Sequence, residues 1–421
     1  MEDFVVQTLC DGVEFSYLKD HRFKTGRTSM ALLLPLDEQT AAASSMLANI
    51  LTQTCKKYPN YTQLNQKLSM LYGAGIYSNT AKVGDNLVLT FSGASINDCY
   101  AFDKAPIFSE LTQLLCSMIF EPNFQNGLFV QSDIERERRQ ILEDIEAEYN
   151  DKRRYATRRC IQIMCDGEPY AYPSYGSAEA VKNMTAEILT EQWQKMLSHA
   201  RIELTLLGET EPSGVRETYE HFFKNQSRTP TPFTRIYKNA GAVKCVTEEQ
   251  DVSQSKLVLG FRCSVGNSTE DYLAAIMMSS VFGGTPMSKL FLNVREKMSL
   301  CYYCSSMYSS EKKILLVDSG VETQNIEKAE AEILHQLKKL QNGELTADEI
   351  DAAKLALRNS FISHLDSLAA SERFYISHKM AGNYVSPYTL AKMLDNITAE
   401  QIIHVAQGVV LDTVYTLKGK A

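Results

Sequence analysis

The chain has 421 residues, of which 44% are hydrophobic, and its formal net charge at pH 7 is −8. A chain of this length and composition can bury large cores, which predicts two or more domains. The negative charge excludes a broad basic surface for nucleic acid, and no apolar run approaches the ~18 residues of a transmembrane helix.

The N-terminus and the cysteines predict a cytoplasmic protein. The first residues, MEDFVVQTLCDGVEF, begin acidic and lack the charged-then-apolar order of a secretory signal. The ten cysteines have no regular spacing, which indicates reduced thiols. One Cys-x-x-Cys occurs, from Cys301 to Cys304. Without a second pair or a strand-to-helix context, we interpret it as two small residues in an aromatic-rich strand; a redox or metal role is the alternative.

Four predicted elements follow one another in the first half of the chain. Residues 32–51, LLLPLDEQTAAASSMLANIL, predict a strand, a polar turn and an apolar helix. The segment from Ile76 to Gly93 predicts two strands around a Gly-Asp-Asn turn. A long charged helix is predicted at about 131–165, and the segment from Asn183 to Gly208 predicts a Thr-capped helix that leads into an apolar strand.

The same elements recur in the second half, in the same order. They are found at residues 258–282, from Tyr302 to Gly320, at about 346–375, and from Asn396 to Gly419. The chain is therefore predicted to contain two copies of one α+β unit of roughly 200 residues. We expect domains at 1–224 and 236–421, joined by a polar linker at 225–235.

The residue pattern offers no visible catalytic site. A helical metal site needs two ligands three or four residues apart, and no two of the seven histidines lie within five residues of each other. Acidic residues between Glu135 and Glu148 alternate with arginines, which is typical of a solvated helix face. The residues alone therefore predict a two-repeat α+β protein, and they do not indicate which reaction, if any, it catalyses.

A family resemblance adds to this prediction. The segment GGTPMSKLFLNVREKMSLCYYCSS, from Gly283 to Ser306, resembles the pitrilysin/insulinase/mitochondrial-processing-peptidase family of inverzincin-type zinc peptidases. Lys67 to Gly73 and YAYPSYGSAEAVKNMTAEIL at 170–189 resemble further family segments. The resemblance covers nearly the whole chain. It implies two homologous repeats, each a mainly antiparallel sheet covered by helices of the LuxS/processing-peptidase type, in a clam-shaped chain.

Within the family, this chain resembles a bacterial branch that is named for association with the 5-aminopentanol modification of elongation factor P.

Active members of the family carry H-x-x-E-H on a helix, where two His bind zinc and the Glu is the general base. Counting back from Thr54-Cys55-Lys56-Lys57 places Ser45, Ala48 and Asn49 at these positions, and none can replace its counterpart.

The region of the family's third zinc ligand also differs from a working site. Glu143 or Asp144 lies nearest to that position, and we interpret both as helix-surface acids. The resemblance therefore implies no catalytic residue, no metal and no other cofactor in this chain. Zinc is expected in a partner chain instead.

The substrate-binding half of the family's machinery is retained. The resemblance places a substrate-contacting Arg and Tyr at Arg295 and Tyr302, which offer a forked donor and a hydroxyl. The structural alternative is that Arg295 caps its helix and Tyr302 packs.

The family includes paired systems, in which one chain supplies zinc and the other the Arg/Tyr pair. The resemblance thus predicts a non-catalytic subunit of a heterodimeric zinc endopeptidase. Its partners would be a zinc-bearing homologous subunit and an extended peptide, with no nucleic acid, no membrane, and a homodimer in isolation as an option. The alternatives are a purely structural or interaction subunit, and an autonomous peptidase with a relocated metal site.

Overall fold

A computed structural model describes residues 5–102, 104–224, 226–382 and 385–419. The strands, in chain order, are β1 (Val5–Cys10), β2 (Val13–Lys19), β3 (Thr25–Pro35), β4 (Gly75–Val83), β5 (Asn86–Ile96), β6 (Phe124–Gln125), β7 (Leu128–Phe129), β8 (Arg201–Gly208), β9 (Lys244–Gln250), β10 (Ser255–Cys263), β11 (Cys301–Ser309), β12 (Ile314–Val321) and β13 (Val409–Gly419). The helices are α1 (Glu38–Ile50), α2 (Tyr61–Met70), α3 (Ile107–Phe120), α4 (Gln131–Asn150), α5 (Lys152–Met164), α6 (Ala178–Lys182), α7 (Ala186–His199), α8 (Pro212–Phe223), α9 (Thr269–Ser279), α10 (Ile326–Gln341), α11 (Ala347–Ser363), α12 (Leu368–Met380), α13 (Pro387–Met393) and α14 (Ala399–Gln407).

The chain forms two compact units. The first contains residues 1–145 and 172–234, and the second contains residues 146–171 and 235–421. Helix α5 therefore belongs to the second unit, although it precedes the last helices and the last strand of the first unit in the sequence. No helix in the described parts of the chain is both long and apolar enough to cross a membrane.

The two main sheets share one strand order. The first sheet has the order β1-β2-β8-β3-β5-β4, and the second has the order β11-β12-β10-β13-β9. In reverse, the order of the second sheet is β9-β13-β10-β12-β11, which corresponds strand by strand to β2-β8-β3-β5-β4 of the first sheet. Strand β1 has no counterpart in the second sheet. Each sheet has one parallel pair, and it joins the strand that comes first in the sequence of the repeat to the strand that comes last. These pairs are β2 with β8 and β9 with β13. This arrangement confirms the prediction of two homologous, mainly antiparallel repeats.

Local sequence explains the elements that both halves share. Strands β4 and β5 pair from Gly75↔Ala94 to Val83↔Asn86, so the predicted hairpin turns at Gly84 and Asp85. Gly84 has a φ of +55°, a conformation that glycine adopts without a Cβ penalty. Helix α7 begins where the Thr185 side chain accepts a hydrogen bond from the Ile188 amide at 3.3 Å. Thr398 caps α14 in the same way, as predicted.

The predicted long helix of each half is interrupted in the structure. Helix α4 ends at Asn150, and α5 begins after Asp151, whose carboxylate accepts a hydrogen bond from the Arg154 amide at 3.1 Å. In the second half, Ser367 caps α12 after α11 has ended at Ser363. The prediction of unbroken helices was wrong because the charge pattern continues across each break, while the break depends on a single capping side chain.

Each unit buries its own core. In the first unit, α1, α3 and α7 pack on the sheet through residues such as Met46, Leu115 and Leu189. In the second unit, α5 covers a face of the sheet, where Cys160 and Met164 contact a cluster that includes Val258 and Tyr415. The segment 146–171 is thus an integral layer of the second unit.

Candidate functional site

Helix α1 holds the three degenerate motif positions. Asp37 caps the helix by accepting a hydrogen bond from the Thr40 amide at 2.8 Å. Ala48 is 2% exposed and packs in the core of the first unit. Ser45 and Asn49 are only partly buried, and their spacing of four residues places them on one face of the helix.

The donor set on this helix does not fit zinc. Asn49 Oδ1 accepts a long hydrogen bond, 3.5 Å, from Ser78 Oγ on β4. A hydroxyl and an amide thus stand at the two ligand positions, where zinc requires imidazole, thiolate or carboxylate, and the methyl group of Ala48 stands at the position of the general base. In the part of the chain that the structure describes, no group of three or more His, Cys, Asp or Glu side chains could hold a metal ion.

The acids considered for the third ligand lie on the surface of α4. Glu143 and Asp144 are both exposed, and Asp144 accepts a hydrogen bond from Gln140 Nε2 at 3.1 Å. A more enclosed acid lies two turns earlier: Glu137 is 4% exposed and accepts a hydrogen bond from Gln53 Nε2 at 2.8 Å.

Sequence reasoning had grouped Glu137 with the solvated acids. A pattern in the sequence marks it as inward-facing, because Glu137 lies three residues after Ile134 and four before Ile141, both of which are buried. Glu137 thus joins α4 to the turn that follows α1 through Gln53, and it supplies a single carboxylate to that region.

Arg295 lies on a wide helical turn in the second unit. Residues Phe291–Lys297 form a π-helix, in which the Met298 amide donates to the Asn293 carbonyl oxygen at 3.1 Å. The Asn293 side chain donates to the Lys289 carbonyl oxygen at 2.9 Å. Segments of π-helix are rare and occur frequently at functional sites.

The Arg295 guanidinium is largely available for a ligand. It lies 4.6 Å from the centroid of the Phe291 ring, and its Nε is 3.6 Å from Glu296 Oε1. Both members of this ion pair are exposed, at 42% and 54% of their side-chain surface, so the pair contributes little stability.

Tyr302 is presented by a bulge in β11. The register with β12 shifts between Cys301↔Val321 and Tyr303↔Gly320, which leaves Tyr302 as an extra residue. Its side chain is 65% exposed and does not pack in the core. Within the described residues β11 pairs with β12 alone, so Tyr302 stands on a sheet edge.

The surroundings of Arg295 and Tyr302 are electrostatically linked. A hydrogen bond from Cys304 lowers the pKa of the Cys301 thiol, burial opposes this, and Ser319 and the charge of Arg295 assist it. Cys301 directly precedes Tyr302, so the guanidinium and the bulge belong to one neighbourhood. The two residues are seven apart in the sequence, and the residue pattern does not indicate the π-helical turn and the bulge on which they lie.

A buried ion pair, which the sequence analysis missed, anchors this turn. Lys289 Nζ lies 2.9 and 3.1 Å from the two carboxylate oxygens of Glu349. The side chains are 7% and 11% exposed. Glu349 also closes a capping box with Thr346 at the start of α11. The segment that carries Arg295 is thus tied to a second helix.

Comparison with known proteins gives consistent matches. Residues 183–357 match the family model described as "Peptidase M16 inactive domain". The chain is 31% identical over 409 residues to "Probable inactive metalloprotease YmfF" of Bacillus subtilis (strain 168), and the match covers 97% of this chain and 96% of that protein.

Two solved structures are similar along the whole chain. A conserved protein from Enterococcus faecalis V583 superposes with a TM-score of 0.93 at 24% identity, covering 100% of this chain and 99% of that one. A "peptidase M16 inactive domain" from Pseudomonas fluorescens gives a TM-score of 0.80 at 14% identity and covers 100% and 98%. At these identities the two structures show a shared fold.

Proposed function

Since the chain belongs to the M16 (pitrilysin/insulinase) peptidase family as a homologue without the catalytic motif, we propose that it is the non-catalytic, substrate-binding subunit of a heterodimeric zinc endopeptidase. One observation carries the proposal. The motif helix has lost every zinc-binding side chain, whereas Arg295 and Tyr302 stay exposed on a turn and a bulge that buried contacts support.

An extended peptide is the substrate that suits the sheet edges. Strands β4 and β11 each pair with one neighbour in the described structure, so each leaves one row of backbone amides and carbonyls for a further strand. Adding a strand gives affinity through the main chain and little dependence on the peptide's sequence. The exposed edge at β11 also carries Tyr302.

Arg295 and Tyr302 would hold the peptide by its polar groups. A guanidinium donates two parallel hydrogen bonds to a carboxylate, or one to a carbonyl oxygen, and the Tyr302 hydroxyl donates another. In such a complex the metal chemistry comes from a zinc-bearing homologous subunit. The residues of this chain bind and orient the peptide. The thiol-rich composition supports a cytoplasmic location for the complex.

The test is to isolate the complex. A tagged chain purified from its native host is expected to bring down a homologue that carries H-x-x-E-H, and the mixture of both chains should cleave unstructured peptides. The isolated chain should hold no stoichiometric zinc by elemental analysis. Chelator-sensitive cleavage by the isolated chain would contradict the proposal and favour an autonomous peptidase. A stable complex that cleaves normally without Arg295 and Tyr302 would favour a structural subunit.

A further inference from the structure

A cavity of about 430 Å³ opens in the first unit, between the start of α1 and the residues that connect α6 to α7. This volume lies within the range of small-molecule binding sites. Neither Ser45 nor Asn49 lines the cavity. The helical rise places Ser45 roughly 10 Å further along α1 than Glu38, which does line it. The cavity is therefore separate from the degenerate motif positions.

The walls of the cavity are held in place by close backbone packing. A Cβ built on Gly176 would lie 2.7 Å from the Glu38 carbonyl oxygen and 2.8 Å from Ala42 Cβ, so the chain before α6 packs directly on the first turns of α1. Behind the connection from α6 to α7, Arg138 of α4 donates a hydrogen bond to the Met184 carbonyl oxygen at 2.5 Å. The cavity is thus built before any ligand arrives.

Part of the wall is apolar. Met184 is 2% exposed, and Ala180 and Ile188 are half-buried beside it in the lining of the cavity. Tyr172, which also lines the cavity, is 38% exposed and adds an aromatic residue. Such a wall favours a ligand with an apolar body, because contact removes apolar surface from water.

The start of α1 gives the cavity a negative charge. The Asp37 carboxylate accepts hydrogen bonds from the amide and the hydroxyl of Thr40, at 2.8 and 2.6 Å, and each of its oxygens retains a further lone pair. Glu38 follows it and is exposed. Among the described residues that line the cavity, none is Lys, Arg or His. A neighbouring cation, Lys82, donates from Nζ to the Tyr172 carbonyl oxygen at 3.3 Å.

We propose that this cavity binds a free small-molecule amine, with its primary ammonium group on a short apolar chain or ring. The apolar part packs on Met184 and Ile188, and the ammonium group lies at the carboxylates of Asp37 and Glu38. The Tyr172 ring adds an attraction that only a cation experiences. An anion would meet two carboxylates here, and Asp37 already accepts a hydrogen bond from an amide in the first turn of α1.

Three probes of one shape and different charge test the proposal. They are phenethylamine, 2-phenylethanol and phenylacetate, which at pH 7 are a cation, a neutral molecule and an anion. The full chain is labelled with ¹³C at its Met and Ile methyl groups. We expect about 10 mM phenethylamine to shift the methyl signals of Met184 and Ile188, since a ligand of this size binds in the millimolar range. The alcohol should bind more weakly, and phenylacetate should leave both signals unchanged.

Substitutions in the lining separate charge from shape. Glu38→Gln and Asp37→Asn should each weaken phenethylamine binding by about two- to fivefold, the range for one exposed ion pair, and leave 2-phenylethanol binding unchanged. Asn caps a helix as well as Asp does, so the melting temperature should not change. Ala180→Leu should abolish the binding of both by filling the apolar side. The control is Glu217→Gln on α8, an exposed acid outside the lining.

The proposal makes the charge of the ligand decisive. Phenylacetate that shifts Met184 and Ile188 as strongly as phenethylamine would overturn it, as would unchanged methyl signals with the amine. Tighter binding of the capped peptide Gly-Gly-Lys-Gly-Gly than of phenethylamine would overturn the assignment to a free amine and indicate a lysine side chain of another protein. These measurements use the isolated chain and no peptidase activity, so their outcome is independent of the proposed function.

Discussion

The Arg295 guanidinium offers the first prediction at the scale of single residues. In the reconstituted complex, Arg295→Ala should lower kcat/KM by about 10 to 100-fold, since a charge-assisted hydrogen bond contributes roughly 1.5–3 kcal/mol. Arg295→Lys should also lose activity, because a point charge does not reproduce the planar fork. Peptide hydrolysis by the purified complex measures both effects.

The control is Arg358→Ala, which removes another exposed arginine of the second unit, paired with Asp395. Both alanine variants should melt like the wild type, because the ion pairs of Arg295 and Arg358 are solvent-exposed and contribute little stability. Activity within twofold of wild type for Arg295→Ala would make the Arg/Tyr pair architectural.

Glu168 supports a prediction about stability. Its side chain is 0% exposed and lies 2.6 Å from Arg262 Nη2 and 2.7 Å from Lys312 Nζ. Replacing it with Gln leaves buried cations uncompensated, and such losses cost about 3–5 kcal/mol. Urea unfolding at pH 7 should show this loss for Glu168→Gln. Asp166→Asn, in the same segment but exposed, should unfold like the wild type.

The stabilisation by Glu168 should depend on pH in one direction. Burial by itself raises the pKa of Glu168, but hydrogen bonds from Arg262 and Lys312 outweigh it and lower the pKa from its ordinary value of 4.5. A group with a lowered folded pKa stabilises the fold above its unfolded pKa, and this contribution fades as the pH falls through the folded value. The difference between wild type and Glu168→Gln should therefore shrink below about pH 4.5. A gap that stays constant from pH 7 to pH 3 would contradict this assignment.

At the scale of elements, the close packing of α5 on β10 depends on one glycine. A Cβ built on Gly260 would lie 2.8 Å from Met164 Sδ and 3.2 Å from Cys160 Sγ. Gly260→Ala should therefore destabilise the second unit by about 1–3 kcal/mol, a cost typical of overpacking. Amide exchange in residues 152–164 should become faster. Gly241→Ala, where the added Cβ meets nothing within 4 Å, should leave both measurements unchanged.

The sequence predicted correctly those elements that depend on neighbouring residues and that recur in both halves of the chain. The β4–β5 hairpin and the Thr185 and Thr398 caps depend on residues that are adjacent in the chain. The break at Asp151 was not predicted, because Asp is also common on a charged helix face and only its backbone conformation makes it a cap. The π-helix around Arg295 was not predicted either, because no residue pattern in 291–297 distinguishes a widened turn from an ordinary helix.

The candidate site was predictable in a similar, partial way. The loss of the zinc-binding residues on α1 could be predicted from the sequence alone, because no histidine lies between His21 and His199. Their burial and the contact of Asn49 with Ser78 required the fold.

At the scale of the whole molecule, the segment 146–171 couples the two halves of the sequence. It belongs to the second unit, while the residues on both sides of it belong to the first. A repeat found by sequence similarity assigns residues by their order along the chain, and it does not indicate which sheet a helix covers. The cluster of Cys160, Met164 and Tyr415 shows that α5 completes the packing of the second sheet.

This arrangement predicts the result of cutting the chain after its halves have folded. A protease site inserted after Gly241 lies in a segment without helix or strand, and cleavage there yields fragments 1–241 and 242–421. The fragments should elute together from a sizing column under native conditions, because α5 of the first fragment stays packed on the sheet of the second. Fragment 242–421 expressed alone should bind a hydrophobic dye, because it lacks the helix that covers Val258 and Tyr415. Adding a peptide of residues 146–171 should reduce this binding. Clean separation of the cleaved fragments into two folded monomers would show that α5 is dispensable for the second unit.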